Sequence, residues 1–179
     1  MESTEDHDWL GHGIYFWEND AVRGYQWAKE SRKKLESPSV VGAVIELGRC
    51  LDLTTQTGIE AVRVSYEGLR AFAEKNGTPI SENKDAAKLA VGNKVIRLLD
   101  CQVINNLFKI YKEAQTKNPS LQPYGTVRSL FPEGEELYPT AGFWSKTHVQ
   151  VCVRDPSQIL GVFRIPEWQR ELLNIPKIY

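Results

Sequence analysis

At 179 residues the chain can bury a sizeable hydrophobic core, and its length suits one domain. Hydrophobic residues at 41% with charged residues at 25% exclude a disordered, collagen-like or coiled-coil chain. A formal net charge of −1 leaves no bulk field to steer the protein towards nucleic acid or an acidic membrane, so any partner must be recognised by a local site. No stretch approaches the ~18–20 apolar residues that cross a bilayer, and the acidic start MESTEDHDWLGHG is unlike a secretory leader. A cytoplasmic protein is expected. Cys50, Cys101 and Cys152 form no C-x-x-C and are too few for a disulfide framework, which predicts reduced core thiols. His7 and His12 are the one close histidine pair, and no metal is expected.

In chain order, Gly11, Gly13 and the run Ile14 to Trp17 predict a short aromatic strand entered through a glycine-flanked turn. Ala21, Val22, Tyr25 and Ala28 then recur at helical spacing, with Asn19 or Asp20 as N-cap and Arg32, Lys33 and Lys34 as a solvated basic end. Val40 to Leu53 reads as one buried strand with Gly42 and Gly48 as bulge points. Thr57 and Glu60 have capping-box spacing, starting a helix whose apolar face carries Ile59, Val62, Tyr66, Leu69, Phe72 and Ala73 and which Asn76-Gly77 closes. A longer helical pattern runs from Leu89 to Tyr111, with a break expected near Gly92 or Asp100. Residues 125–131 and 147–153 predict strands joined by a polar and aromatic loop, and a last strand, 159–165, precedes a C-terminal tail over about 166–179. The fold class is therefore α+β over residues 1–179, with a mixed or antiparallel sheet and helices inserted in the middle third.

The segment from Gly11 to Glu18 is the first that could carry chemistry. Its glycines let a ligand approach the backbone, and strand alternation sends Tyr15 and Trp17 to one face and Ile14 and Phe16 to the other. An aromatic face beside open backbone can stack a flat, positively charged heterocycle such as nicotinamide. The alternative is a buried aromatic strand after a turn.

The run GHGIYFWENDAVRGYQWA (residues 11–28) resembles a motif of the ADP-ribosyltransferase superfamily, whose G-x-G-[IF]-Y-F strand supplies a tyrosine against the nicotinamide of NAD. QVCVRDPSQI (residues 150–159) is similar to the last strand motif of bacterial-type and PARP-like catalytic domains, written E-Y-[VI]-[VI]-x-D-P-S-Q-I, and the two matches stand more than 100 residues apart. The resemblance implies an ADP-ribosyltransferase-like fold that uses NAD as substrate. It implies nicotinamide binding by Gly13, Tyr15 and Tyr25, ribose binding by Gln150, and orientation or deprotonation of an acceptor by His148.

Two departures go with it. Gln150 stands where the family carries its catalytic glutamate, so the sequence has H-x-Q where members have E-x-E or Q-x-E. An amide keeps the positioning role of a carboxylate but gives up on the order of 3–4 kcal/mol of charge stabilisation in an oxocarbenium-like transition state. The family's first strand, often Y-H-G-[TS], has no counterpart among the 14 residues before Tyr15, with His7 the only candidate substitute. Part of the nucleotide cleft is therefore expected to be missing, through a late start, truncation or degeneration. The resemblance also places an acceptor-recognising loop at residues 133–146, where Glu133, Glu135, Glu136, Tyr138, Phe143 and Trp144 either meet a partner or fold back on the core. Two alternatives accompany the transferase: a catalytically degenerate binding or interaction module of the same fold, and an RNA 2′-phosphotransferase, whose arginines and histidines have no evident match. Gln150 as an ordinary strand residue on the solvent side is the alternative for the last motif.

Overall fold

The computed structural model describes residues 2–30, 36–84 and 96–175. The basic cluster at residues 32–34, Leu89, Val95, the break expected at Gly92 and the last four residues of the tail lie outside them.

Strand β1 (Ile14–Trp17) leads through a tight turn into helix α1 (Ala21–Glu30). Asp20 caps that helix, its carboxylate accepting the backbone N–H of Arg23 at 2.8 Å, as the sequence predicts. The apolar run that follows is two strands, β2 (Val41–Ile45) and β3 (Cys50–Asp52), belonging to different sheets. The one buried strand expected over Val40 to Leu53 is therefore not formed. The chain turns at Gly48, and the register irregularity falls at Val44/Ile45, not at Gly42. Only Leu51 of β3 is fully buried, whereas Val41 and Val44 are about half exposed.

Helix α2 (Gln56–Asn76) has its cap two residues earlier than expected. Thr55 is the N-cap, its hydroxyl accepting Gly58 N–H at 3.1 Å, and Thr57 lies inside the helix. Gly58 is required by close approach: a Cβ there would stand 2.0 Å from the carbonyl oxygen of Asp52. The buried face of α2 carries Gly58, Ser65 and Ala73, while Ile59 and Phe72, expected inside, face solvent. On that face Gly58 admits the Asp52 carbonyl and Ser65 meets helix α3 (Leu98–Lys117), donating to the carbonyl of Val103 at 2.9 Å. Helix α3 begins at Leu98, after a β-bridge between Ile96 and Lys84, so the longer helical pattern is broken close to Asp100, which sits in the first turn of α3 bound to Asn83.

Strands β4 (Thr126–Phe131), β5 (His148–Val153) and β6 (Ile159–Arg164) follow, then the short helix α4 (Glu167–Leu172). The main sheet has the order β1-β5-β4-β3, antiparallel except for the parallel pair β3/β4, so the α+β class with a mixed sheet holds. Strands β2 and β6 form a separate antiparallel ribbon.

Register puts Tyr15, Cys152, Val127 and Leu51 in one row across the main sheet, Trp17, Gln150 and Ser129 in the next, and His148 with Phe131 in a third. Residues aligned in this way share a face. That face is covered by Trp9 and Leu10 from the segment before β1 and by Ile104 and Leu107 of α3, which form one core cluster with Leu51, Val127, Phe131 and Cys152. Each fully buried aliphatic side chain there contributes about 1.5–3 kcal/mol. The sequence-predicted site residues of β1 and β5 thus lie on the core side of the sheet.

Candidate functional site

Strands β1 and β5 bring the two motif segments together as hydrogen-bonded neighbours, with Tyr15 opposite Cys152 and Trp17 opposite Gln150. Tyr15 packs against the core cluster, and its hydroxyl is engaged twice: it donates to the carbonyl of Gly11 at 2.8 Å and accepts the N–H of Leu10 at 3.0 Å. Burial raises the phenol pKa well above its ordinary value. Gly13 is set by the sheet itself, because a Cβ there would meet Cys152 Sγ at 2.5 Å and the carbonyl oxygen of Val153 at 2.7 Å.

Gln150 is held at both ends of its amide. Oε1 accepts the indole N–H of Trp9 at 2.6 Å, and Nε2 lies 2.8 Å from Nε2 of His148. His148 Nδ1 lies 2.7 Å from the carbonyl oxygen of Lys146. A carbonyl only accepts, so Nδ1 carries the proton and Nε2 accepts from the Gln150 amide. The result is a directed chain from Trp9 through Gln150 and His148 to Lys146, every donor pointing the same way. His148 is buried between Phe131, at 5.5 Å between ring centroids, and Trp17, at 6.3 Å. Burial lowers its pKa, partly countered by the bond to Lys146, so the imidazole is neutral near pH 7.

Beside His148, Arg23 of α1 is buried to 5% exposure and donates from Nη2 to Glu133 at 2.6 Å. Its Nε and Nη1, with Nε1 of Trp17, are buried donors that have no hydrogen-bond partner among the described residues. Tyr25 follows two residues later on α1, the helix that packs against β1, and is half-buried. The structure therefore gathers Tyr15, Gln150 and His148 on one sheet face, while Tyr25 sits on the flanking helix.

A cleft of about 480 Å³ opens on the far side of Trp9, between α2, the start of α3 and the edge of the sheet. Trp9 and Ser129, the hydrogen-bond and register neighbours of Gln150, both line it. Arg97 forms another wall, its guanidinium carbon 5.0 Å from the ring centroid of Trp9 and 4.8 Å from that of Phe131. Sequence reasoning missed Trp9, Arg23, Arg97 and Ser129. A tryptophan just ahead of the Gly11-His12-Gly13 turn was the sole local signal among them.

The loop at 133–146 extends the β4–β5 hairpin, with backbone bonds from Lys146 to Glu133, Ser145 to Glu135 and Leu137 to Phe143. Tyr138 and Phe143 are exposed, and Trp144 is half-buried. All three cysteines are free, Cys101 and Cys152 buried and Cys50 half-buried; burial pushes Cys101 up to about 11 and Cys152 up to about 12. His7 is exposed beside Asp6, and no group of three or more metal-binding side chains occurs among the described residues. None of the described helices is long and apolar enough to cross a membrane. No family model matches the chain, and no curated protein or solved structure matches it either.

Proposed function

We propose that the chain transfers ADP-ribose from NAD, its substrate, to an unidentified acceptor with release of nicotinamide. One observation carries this: the segments resembling the ADP-ribosyltransferase motifs, far apart in sequence, are adjacent antiparallel strands with Tyr15, Gln150 and His148 on one face. In this scheme Tyr15 and Tyr25 pack the nicotinamide and the Gln150 amide turns from His148 to a ribose hydroxyl. The C1′–N bond breaks with its electron pair leaving on nicotinamide. An acceptor lone pair forms the new bond to C1′, and the acceptor's proton passes to the freed Nε2 of His148, a neutral base. The exposed Tyr138 and Phe143 offer the acceptor a docking loop.

A second reading, a catalytically degenerate module of the same fold that binds without turning over, is favoured by a different observation. Both polar atoms of the Gln150 amide are bound internally, and the amide brings no negative charge. Nicotinamide release from labelled NAD in a cell lysate separates the two, with Tyr15→Phe and Gln150→Ala as comparisons and melting curves as a check on folding. Release that disappears in folded Gln150→Ala supports transfer. Binding of NAD without release supports the module, and neither binding nor release sinks both.

A further inference from the structure

We propose that the cleft beside Trp9 seats an adenosine diphosphate group, with Arg97 as the residue that holds the diphosphate. The proposal rests on the NAD reading for the molecule that supplies this group; its chemistry stands on the cleft alone. At about 480 Å³ the space has the size of a small-molecule site, ~300–1,000 Å³. Its walls combine apolar Val62 and Leu99 with the rings of Tyr66 and Trp9, a lining that suits a flat purine.

Arg97 supplies the polar feature. Stacking on Trp9 and Phe131 fixes the plane of its guanidinium, the geometry in which arginine binds phosphate with two parallel donors. Its Nε is buried and has no hydrogen-bond partner among the described residues, and Nη1 reaches its nearest carboxylate, Asp100, only at 3.4 Å. Asp100 is itself taken on its other oxygen by Asn83 at 2.7 Å. An Nε closed to water is closed to a ligand as well, so the donor capacity that the guanidinium offers at the cleft wall lies with its terminal nitrogens. Arg63, the second arginine of the lining, is exposed and already bound by Glu60 and Glu67, so it is not the anchor.

Trp9 lines the cleft and bonds to Gln150, and Ser129, also in the lining, is the strand neighbour of Gln150. A dinucleotide with its diphosphate on Arg97 has its remaining half one side chain away from the amide proposed to hold the ribose. Arg97, at the start of α3, thereby takes over the phosphate-binding duty for which the segment ahead of Tyr15 offers no motif.

The test is calorimetric titration of ADP into the full chain and into Arg97→Gln, Val62→Trp and Arg63→Gln, with melting curves alongside. Val62→Trp fills the cleft and leaves Arg97 in place, so it serves if Arg97→Gln does not fold. ADP is expected to bind the unchanged chain, about tenfold or more weaker in Arg97→Gln and in Val62→Trp, with little change in Arg63→Gln. Absence of ADP binding, or binding indifferent to both Arg97→Gln and Val62→Trp, overturns the proposal. ADP held through Arg97 with no nicotinamide release keeps the cleft and removes the transferase. Nicotinamide release whose KM for NAD is unchanged in Arg97→Gln keeps the transferase and removes the cleft.

Discussion

The indole N–H of Trp9 and the side-chain oxygen of Gln150 meet at 2.6 Å across 141 residues of sequence. This bond does more than tie an irregular segment to a central strand. By claiming the oxygen, it turns the amide nitrogen towards His148, and the nitrogen in turn selects the imidazole tautomer with its proton on Nδ1. The orientation of the candidate ribose-binding group is thus set from outside its own strand.

Trp9→Phe keeps a ring against Phe131 and beneath Arg97 but removes the donor, leaving the Gln150 oxygen without its partner. A loss of about 1–2 kcal/mol is expected from urea unfolding at constant m-value, against about 3–5 kcal/mol for Trp9→Ala, which also empties core volume. Equal stability of Trp9→Phe and the unchanged chain would show that the bond contributes nothing.

Stability should also depend on His148. Its folded pKa is lowered, so the unfolded chain takes up a proton first as pH falls. The contribution is full above the unfolded value of about 6.5 and is lost progressively as pH drops from there to the folded value. Protonation sets Nε2–H against the Gln150 amide donor, beside the charges of Arg23, Glu133 and Asp20. Urea midpoints taken across this range should fall on acidification in the unchanged chain and flatten in His148→Gln. An equally steep fall in the variant would assign the acid limb to other groups.

The strands of the site were legible because alternation and turn residues are local: β1, β4 and β5 lie where the aromatic and β-branched runs put them. The split of Val40 to Leu53 was not legible, since a continuous apolar run carries no mark of which partner each half will find, and here β2 pairs with β6 while β3 pairs with β4. Helix α2 misleads for a different reason. Its large apolar residues suggest one face, but the face that meets the end of β3 through Gly58 and α3 through Ser65 is the buried one. At the site, the sequence supplies Gln150 and His148 as strand positions. What engages them, Trp9 and the Lys146 carbonyl, is a tertiary matter, and Arg97 is a lone arginine until the fold stacks it on two rings.

The pair of Arg23 and Glu133 makes a second energetic test beside His148. Glu133 is about a quarter exposed and Arg23 nearly fully buried, so Glu133→Gln strips the carboxylate from a cation that cannot reach water. A cost on the order of 2–3 kcal/mol is expected, below the full range for a deeply buried pair because Glu133 is partly solvated. Arg23→Leu combined with Glu133→Leu should recover most of that loss in urea unfolding. A double variant as unstable as Glu133→Gln would place the cost in packing instead of charge.

Gln150→Glu asks whether charge alone separates this strand from an efficient transferase. The new carboxylate can still accept from Trp9, and its second oxygen faces His148 Nε2, where a proton is then favoured. The His148 pKa should rise, and its contribution to stability should change sign: present below the unfolded value of about 6.5 and lost as pH climbs through the raised folded value. If the ribose needs a negative partner, nicotinamide release should increase by ~10²-fold. A raised imidazole titration seen by NMR, with no gain in release, would mean that the carboxylate sits correctly and charge at this position is not what limits the reaction.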